Sequence, residues 1–167
     1  MDWLEKKIDA LRKDRIHGAA QLASSAIRIL GAVCERSKSA DPEALILEVK
    51  QTALSLAKLR PSMAPICNWS FVFAHRLSQQ AARVVSVRDA KRRGRLLAKE
   101  LLVLQREFIH HQVEAARALL GHCRSVVTLS YSSTVETILR HALPSGCKVI
   151  IAESRPLMEG RRLFRRL

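Results

Sequence analysis

The hydrophobic period of this chain changes once, at Gly121, and that change limits what the sequence can fold into. Before Gly121 apolar residues recur at helical spacing; after it come two short β-branched runs. Leu4, Ile8 and Leu11 share one helical face, and Leu22, Ala26, Ile29 and Val33 repeat the pattern. Asp41-Pro42-Glu43 reads as a helix start, with an N-cap residue, a proline in the first turn and an acid beside it. Leu45, Val49, Ala53 and Leu56 then form a stripe. Two prolines, Pro61 and Pro65, break the pattern. Asn68 is placed to cap a helix running to about Val87, with Phe71, Ala74 and Leu77 inward. A long helix is expected from Asp89 to Leu120, carried by Leu97, Leu101, Leu104, Phe108 and Val113. Gly94 weakens its beginning, and Gly121 is a natural stop.

Beyond Gly121, Ser125–Leu129 and Lys148–Ala152 read as buried parallel strands. Ser132 and Ser133 cap the helix between them, which carries Val135, Ile138 and Leu139 inward. Strand, helix, strand in so short a span is a βαβ unit. The fold class is therefore α/β: a helical domain over residues 1–121, then one βαβ unit over residues 122–167. A two-stranded parallel sheet leaves an apolar edge and face open, so further sequence or a partner chain is expected to cover it. No internal repeat or low-complexity segment is present.

Composition sets outer limits. Aromatic residues make up 4% of the chain, so the core must be aliphatic and alanine-rich. No apolar stretch reaches bilayer length and the charged amino terminus has no signal-peptide core, so a soluble cytoplasmic protein away from membranes is expected. Cys34, Cys67, Cys123 and Cys147 are widely spaced, without a C-x-x-C pair; reduced thiols are expected, and neither metal nor cofactor. The adjacent His110 and His111 point in different directions on a helix and are read as structural. The formal net charge of +14 implies attraction to polyanions: RNA, DNA, an acidic protein or a phosphorylated ligand.

In βαβ units ligands bind at the carboxyl ends of the strands. The first strand ends in Ser130-Tyr131-Ser132-Ser133, hydroxyls and N–H groups at a helix amino terminus. The second ends in Glu153-Ser154-Arg155-Pro156, where Arg155 is suited to a phosphate. The alternative reading of the same residues is capping by Ser132 and Ser133 and pairing of Glu153 with Arg155.

These two loops, Thr128–Glu136 and Ile150–Gly160, together resemble the paired signature of the initiation factor 2B alpha/beta/delta family. Ribose-1,5-bisphosphate isomerases and methylthioribose-1-phosphate isomerases share that signature. Arg15–Ala20 is similar to the family's I-R-G-A turn, and Arg60-Pro61 through Asn68 to its R-P loop. The resemblance implies a helical amino-terminal domain followed by a Rossmann-like domain, of which this chain holds the amino-terminal portion. It also implies phosphate binding by Gly18, Arg60, Ser132 and Arg155. His17 stands where the family has arginine, replacing a fixed cation with a group mostly neutral at pH 7. Ser130 stands where the isomerases carry their catalytic cysteine, and their catalytic aspartate falls beyond residue 167. A serine hydroxyl needs an adjacent base to move protons, and the neighbouring sequence offers none.

The expected function is thus non-catalytic binding of a sugar phosphate or nucleotide, with a role in translation initiation or its regulation. Self-association or association with related subunits is expected. The alternatives are a phosphorylated-ribose aldose–ketose isomerase completed by other sequence, and a basic RNA-associated module bound through non-specific charge.

Overall fold

A computed structural model describes residues 2–81 and 86–167. Its order is α1 (Trp3–Lys13), α2 (Ala19–Arg36), α3 (Pro42–Lys58), α4 (Ala64–Ala81), α5 (Val87–Leu120), β1 (Ser125–Leu129), α6 (Ser133–His141), β2 (Lys148–Ala152) and α7 (Glu159–Arg166). The chain is α/β, a helical domain followed by a partial βαβ unit. It divides into two compact units, residues 1–105 and 106–167, and α5 contributes to both.

The first unit is built around α2. Leu22, Ala26, Ile27, Leu30 and Val33 of that helix are all but fully buried, against Leu45, Val49, Ala53 and Leu56 of α3 and Phe73 and Leu77 of α4. Asp41 caps α3 by accepting from the Ala44 N–H at 2.8 Å, with Pro42 in the first turn. Two glycines let α5 approach α2. A Cβ on Gly31 would lie 2.7 Å from the Ala98 Cβ, and one on Gly94 would strike the Cys34 sulfur. Gly94, which propensity alone reads as a weak point, is a contact surface. Burial pushes the Cys34 thiol up to about 12, so it packs as a small hydrophobe. Gln105, buried in α5, joins the same helix pair by donating to the Ala20 carbonyl at 2.9 Å and accepting from the Ser24 hydroxyl.

Four expectations about these helices are corrected. α4 begins at Ala64, so Pro65 lies in its first turn, where a missing N–H costs nothing, and Asn68 lies inside the helix. Ala74 and Leu77 are inward as expected, joined by Ile66 and Phe73, while Phe71 is 46% exposed. The expected end near Val87 crosses 82–85, outside the described residues. α5 begins at Val87, two residues early, with Ser86 Oγ accepting from the Asp89 N–H, and Phe108 is 52% exposed on it.

In the second unit β1 and β2 pair in parallel with Ser125 opposite Lys148 and Leu129 opposite Ala152. The strands are not buried on both faces as expected. Val127 and Leu129 are 74% and 73% exposed, and Ile150 lies beside them across the register. Val126, Thr128, Val149 and Ile151, on the other face, are partly covered. A small core joins Val113, Ala116 and Leu120 of α5 to Ile138 and Ala142. Among the described residues, no helix is long and apolar enough to cross a membrane, and no group of His, Cys, Asp and Glu could hold a metal ion.

Candidate functional site at the strand ends

Just beyond each strand a serine sits in the left-handed region, Ser130 at φ 61° directly after β1 and Ser154 at φ 63° two residues past β2. Met158, before α7, is the third such non-glycine residue among those described. An L-residue there carries a steric cost of roughly 1–2 kcal/mol, and such outliers cluster at functional sites. The two serines hold each other. The Ser130 N–H donates to Ser154 Oγ at 2.6 Å, and the Ser154 hydroxyl donates to the Ala152 carbonyl at 3.1 Å.

The Ser130 hydroxyl meets a carboxylate. It donates to Glu159 Oε2 at 2.6 Å, from the end of β1 to the first residue of α7. Sequence reasoning missed this partner because 29 residues separate the two. Gly160 makes the approach possible: a Cβ there would run into the Ala152 carbonyl oxygen. Its own N–H donates to the Glu153 carbonyl at 3.1 Å. The first residue of α7 is thereby set against the ends of both strands.

Ser132 caps α6, its hydroxyl accepting from the Val135 N–H at 3.4 Å. Arg155 Nε donates to Glu153 Oε2 at 2.7 Å, and Arg161 pairs with the other oxygen of Glu153. The hydrogen bond from Arg155, aided by Arg161, holds the Glu153 carboxyl below the usual range. The capping by Ser132 and the Glu153–Arg155 pairing of the alternative reading are therefore present, while Ser133 is the first residue of α6 and not its cap. The Arg155 side chain remains 76% exposed.

A second network fixes the adjacent tyrosine. Glu136 is 7% exposed, accepting from the Tyr131 hydroxyl at 3.0 Å, Arg166 Nε at 2.9 Å and Arg140 Nε at 3.4 Å. Burial would raise its pKa, but the Arg166 and Tyr131 hydrogen bonds outweigh burial and hold it low. The Arg162 guanidinium lies over the Tyr131 ring at 4.1 Å. α6 and α7 are thus tied together through a buried acid that periodicity reads only as a first-turn charge.

In the first unit, His17, Gly18 and Arg60 gather around Asp14. Asp14 Oδ1 accepts from the Ile16 and His17 N–H groups, each at 2.8 Å, and Oδ2 meets His17 Nδ1 at 2.7 Å. Gly18 is the N-cap of α2, its N–H donating to Gln21 Oε1 at 3.1 Å. Arg60 Nη2 donates to the Arg12 carbonyl at 3.0 Å and to the Asp14 carbonyl, closing the last turn of α1. That structural use of Arg60 was not foreseen.

The strand-end edge offers the hydroxyls of Ser130, Ser132 and Ser154, backbone N–H groups at the start of α6 and an exposed guanidinium, with Glu153 and Glu159 as acceptors. Such a set suits an oxyanion carried on a hydroxylated body.

A family model described as the initiation factor 2 subunit family matches residues 15–167. Over all of its length the chain is similar to the Pyrococcus horikoshii translation initiation factor eIF-2B, at 26% identity and a TM-score of 0.76, covering 56% of that chain. It is similar in fold to the tetrameric eIF2B-beta2-delta2 complex from C. thermophilum, at 19% identity and a TM-score of 0.74 over 98% of this chain and 56% of that one. It is also similar in fold to the 5-methylthioribose 1-phosphate isomerase from Pyrococcus horikoshii, at 15% identity and a TM-score of 0.71 over 95% of this chain and 46% of that one. The chain therefore spans about half the length of these relatives.

Proposed function

The chain belongs to the initiation factor 2 subunit family, and on that premise we propose that it is a binding member of it, related to translation initiation factors and not itself a catalyst. In this reading the strand-end edge of the second unit takes a phosphorylated sugar or nucleotide. The phosphate sits on the first turn of α6 and Arg155, and sugar hydroxyls meet Glu159 and Glu153. Association with related subunits, as in the beta2-delta2 complex, is the proposed setting.

The observation that carries the reading is the state of Ser130. Where the isomerases use a thiol, this chain has a hydroxyl whose proton already points at Glu159. A serine whose proton is committed in this way can act toward a ligand hydroxyl only as an acceptor. The test is the melting temperature with ribose-1,5-bisphosphate, AMP and GDP. A ligand that binds only the folded state raises it with concentration. The expected result is a rise with one of the three that Arg155→Glu removes; no rise in a well-folded sample rejects the site.

The same 2.6 Å contact favours one other reading. Isomerisation of ribose-1,5-bisphosphate breaks the ring C1–O4 bond, moves a proton from C2 to C1 and passes the O2 proton to O4, because O1 is held by phosphate. Glu159 with Ser130 forms a pair able to carry protons of this kind. Conversion of ribose-1,5-bisphosphate to its ketose, lost in Glu159→Gln, would replace the binding reading with this one.

A further inference from the structure

The first turns of α5 carry a line of exposed cations, Arg88, Arg92, Arg95 and Lys99. Spacings of four, three and four residues put them on one strip of helix surface, about 16 Å long. The strip lies within the first unit. Between Arg76 and Arg95 the sequence has seven basic residues and one acid.

A solvated helix face alternates its charges, and other helices here do so. Asp9 sits between Arg12 and Lys13, and Glu114 pairs with Arg117. On the α5 strip the pattern fails. Asp89 is shared by Arg92 and Arg93, at 2.8 and 2.9 Å. Glu35 reaches Arg95 only at 4.0 Å. No carboxylate of the described residues forms an ion pair with Arg88 or Lys99. Like charges at this spacing repel and oppose helix formation. That repulsion is relieved by a polyanion laid along the strip.

The strip adjoins two surface hollows, and Arg92 lines both. One, of about 540 Å³, is lined by Arg88, Lys91, Arg92 and Arg95 with Ser86, Glu35 and Asp89. The other, of about 590 Å³, is lined by Arg76, Arg92 and Arg93 with Gln79, Gln80, Leu96 and one acid, Glu100. Neither is lined by an aromatic ring. Base stacking is therefore absent from the chemistry on offer, and phosphate contact dominates.

We propose that this face of α5 docks the phosphodiester backbone of double-helical RNA, without reading its sequence. The choice of RNA over DNA rests on the translation-initiation reading above; the surface itself recognises spaced phosphates.

The test is fluorescence anisotropy of a labelled 20-base-pair RNA duplex with the full chain, between 50 and 200 mM salt. Four phosphate contacts give a log–log salt slope of about −4. Replacing Arg88, Arg92, Arg95 and Lys99 by glutamine should weaken binding at least tenfold and remove most of that slope. Replacing the exposed Lys6, Lys7, Lys50 and Lys58 by glutamine removes the same charge and should leave most of the affinity. Glu35→Gln, a surface change that guards against misfolding of the fourfold variant, should tighten binding severalfold. Equal loss in both fourfold variants, no binding at 50 mM salt, or a salt-insensitive affinity would overturn the proposal. So would tenfold preference for a DNA duplex, or displacement by poly-glutamate as effective as by unlabelled RNA. Loss of sugar-phosphate binding at the strand ends would not bear on any of these outcomes.

Discussion

The Ser130 hydroxyl donates a 2.6 Å hydrogen bond to Glu159, joining the end of β1 to the start of α7. This places a negative charge beside the proposed phosphate seat, where it opposes an anion. Glu159→Gln keeps the shape and an acceptor for Ser130 while removing the charge. Affinity for a phosphorylated ligand should rise about fivefold, the effect of roughly 1 kcal/mol between charges near a protein surface. Isothermal titration calorimetry of the two proteins decides it; an unchanged affinity would move the ligand away from this edge, and a weaker one would mean that the sugar-hydroxyl contact to Glu159 outweighs its repulsion of the phosphate.

Gly94 and Cys34 occupy space that only one side chain can use. Gly94→Ala should destabilise the chain by about 2 kcal/mol, the usual cost of forcing atoms into a packed core. Cys34→Ala in the same chain should recover part of the loss, because the sulfur is the nearest obstacle. The pair should be non-additive in a double-mutant cycle measured by urea unfolding.

Arg60 tests structure against binding. Its Nη2 closes the end of α1 through the carbonyls of Arg12 and Asp14. Arg60→Ala should cost about 2 kcal/mol of stability through lost charge-assisted bonds. Amide exchange should accelerate in α1. Full protection of that helix in the variant would return Arg60 to a purely ligand-facing role.

Asp14 should govern part of the acid unfolding. Burial raises its carboxyl, but hydrogen bonds from the His17 backbone and ring and from the Ile16 N–H outweigh that and hold it at about 2. A depressed carboxylate stabilises the fold above its unfolded value near 4 and loses that contribution as pH falls towards 2. With solvent screening the contribution is roughly 1 kcal/mol. Asp14→Asn should be less stable than the parent at pH 6, and the gap should close between about pH 4 and 2. A pH-independent gap would mean that the turn, not the charge, matters.

What could be read from the sequence, and what could not, divides along the range of the forces involved. Helix stripes such as Leu45, Val49, Ala53 and Leu56 are local, and they sit where periodicity puts them. The strand-ending serines and the cap at Ser132 were visible because turn and cap chemistry spans only a few residues. Phe71 was misjudged because a periodic pattern leaves the phase of a mixed apolar run open, and Phe73 took the inner position. Glu159, Glu136 with Arg166, and Arg60 with α1 were invisible because each pairs residues far apart in the chain. One trace existed: a glycine just after the E-S-R-P run signals a close backbone approach, and close approach implies that its neighbour is positioned.

Gly160 turns that trace into a genetic expectation. Every single-base change of a glycine codon to another amino acid adds at least a Cβ, and any Cβ at this position meets the Ala152 carbonyl oxygen. The carboxylate opposite Ser130 therefore depends on a residue that contributes no functional group. A selection for loss of the strand-end site should return Gly160 alongside the residues that touch the ligand, and its variants should lose binding as Arg155→Glu does, unlike those of an ordinary helix position.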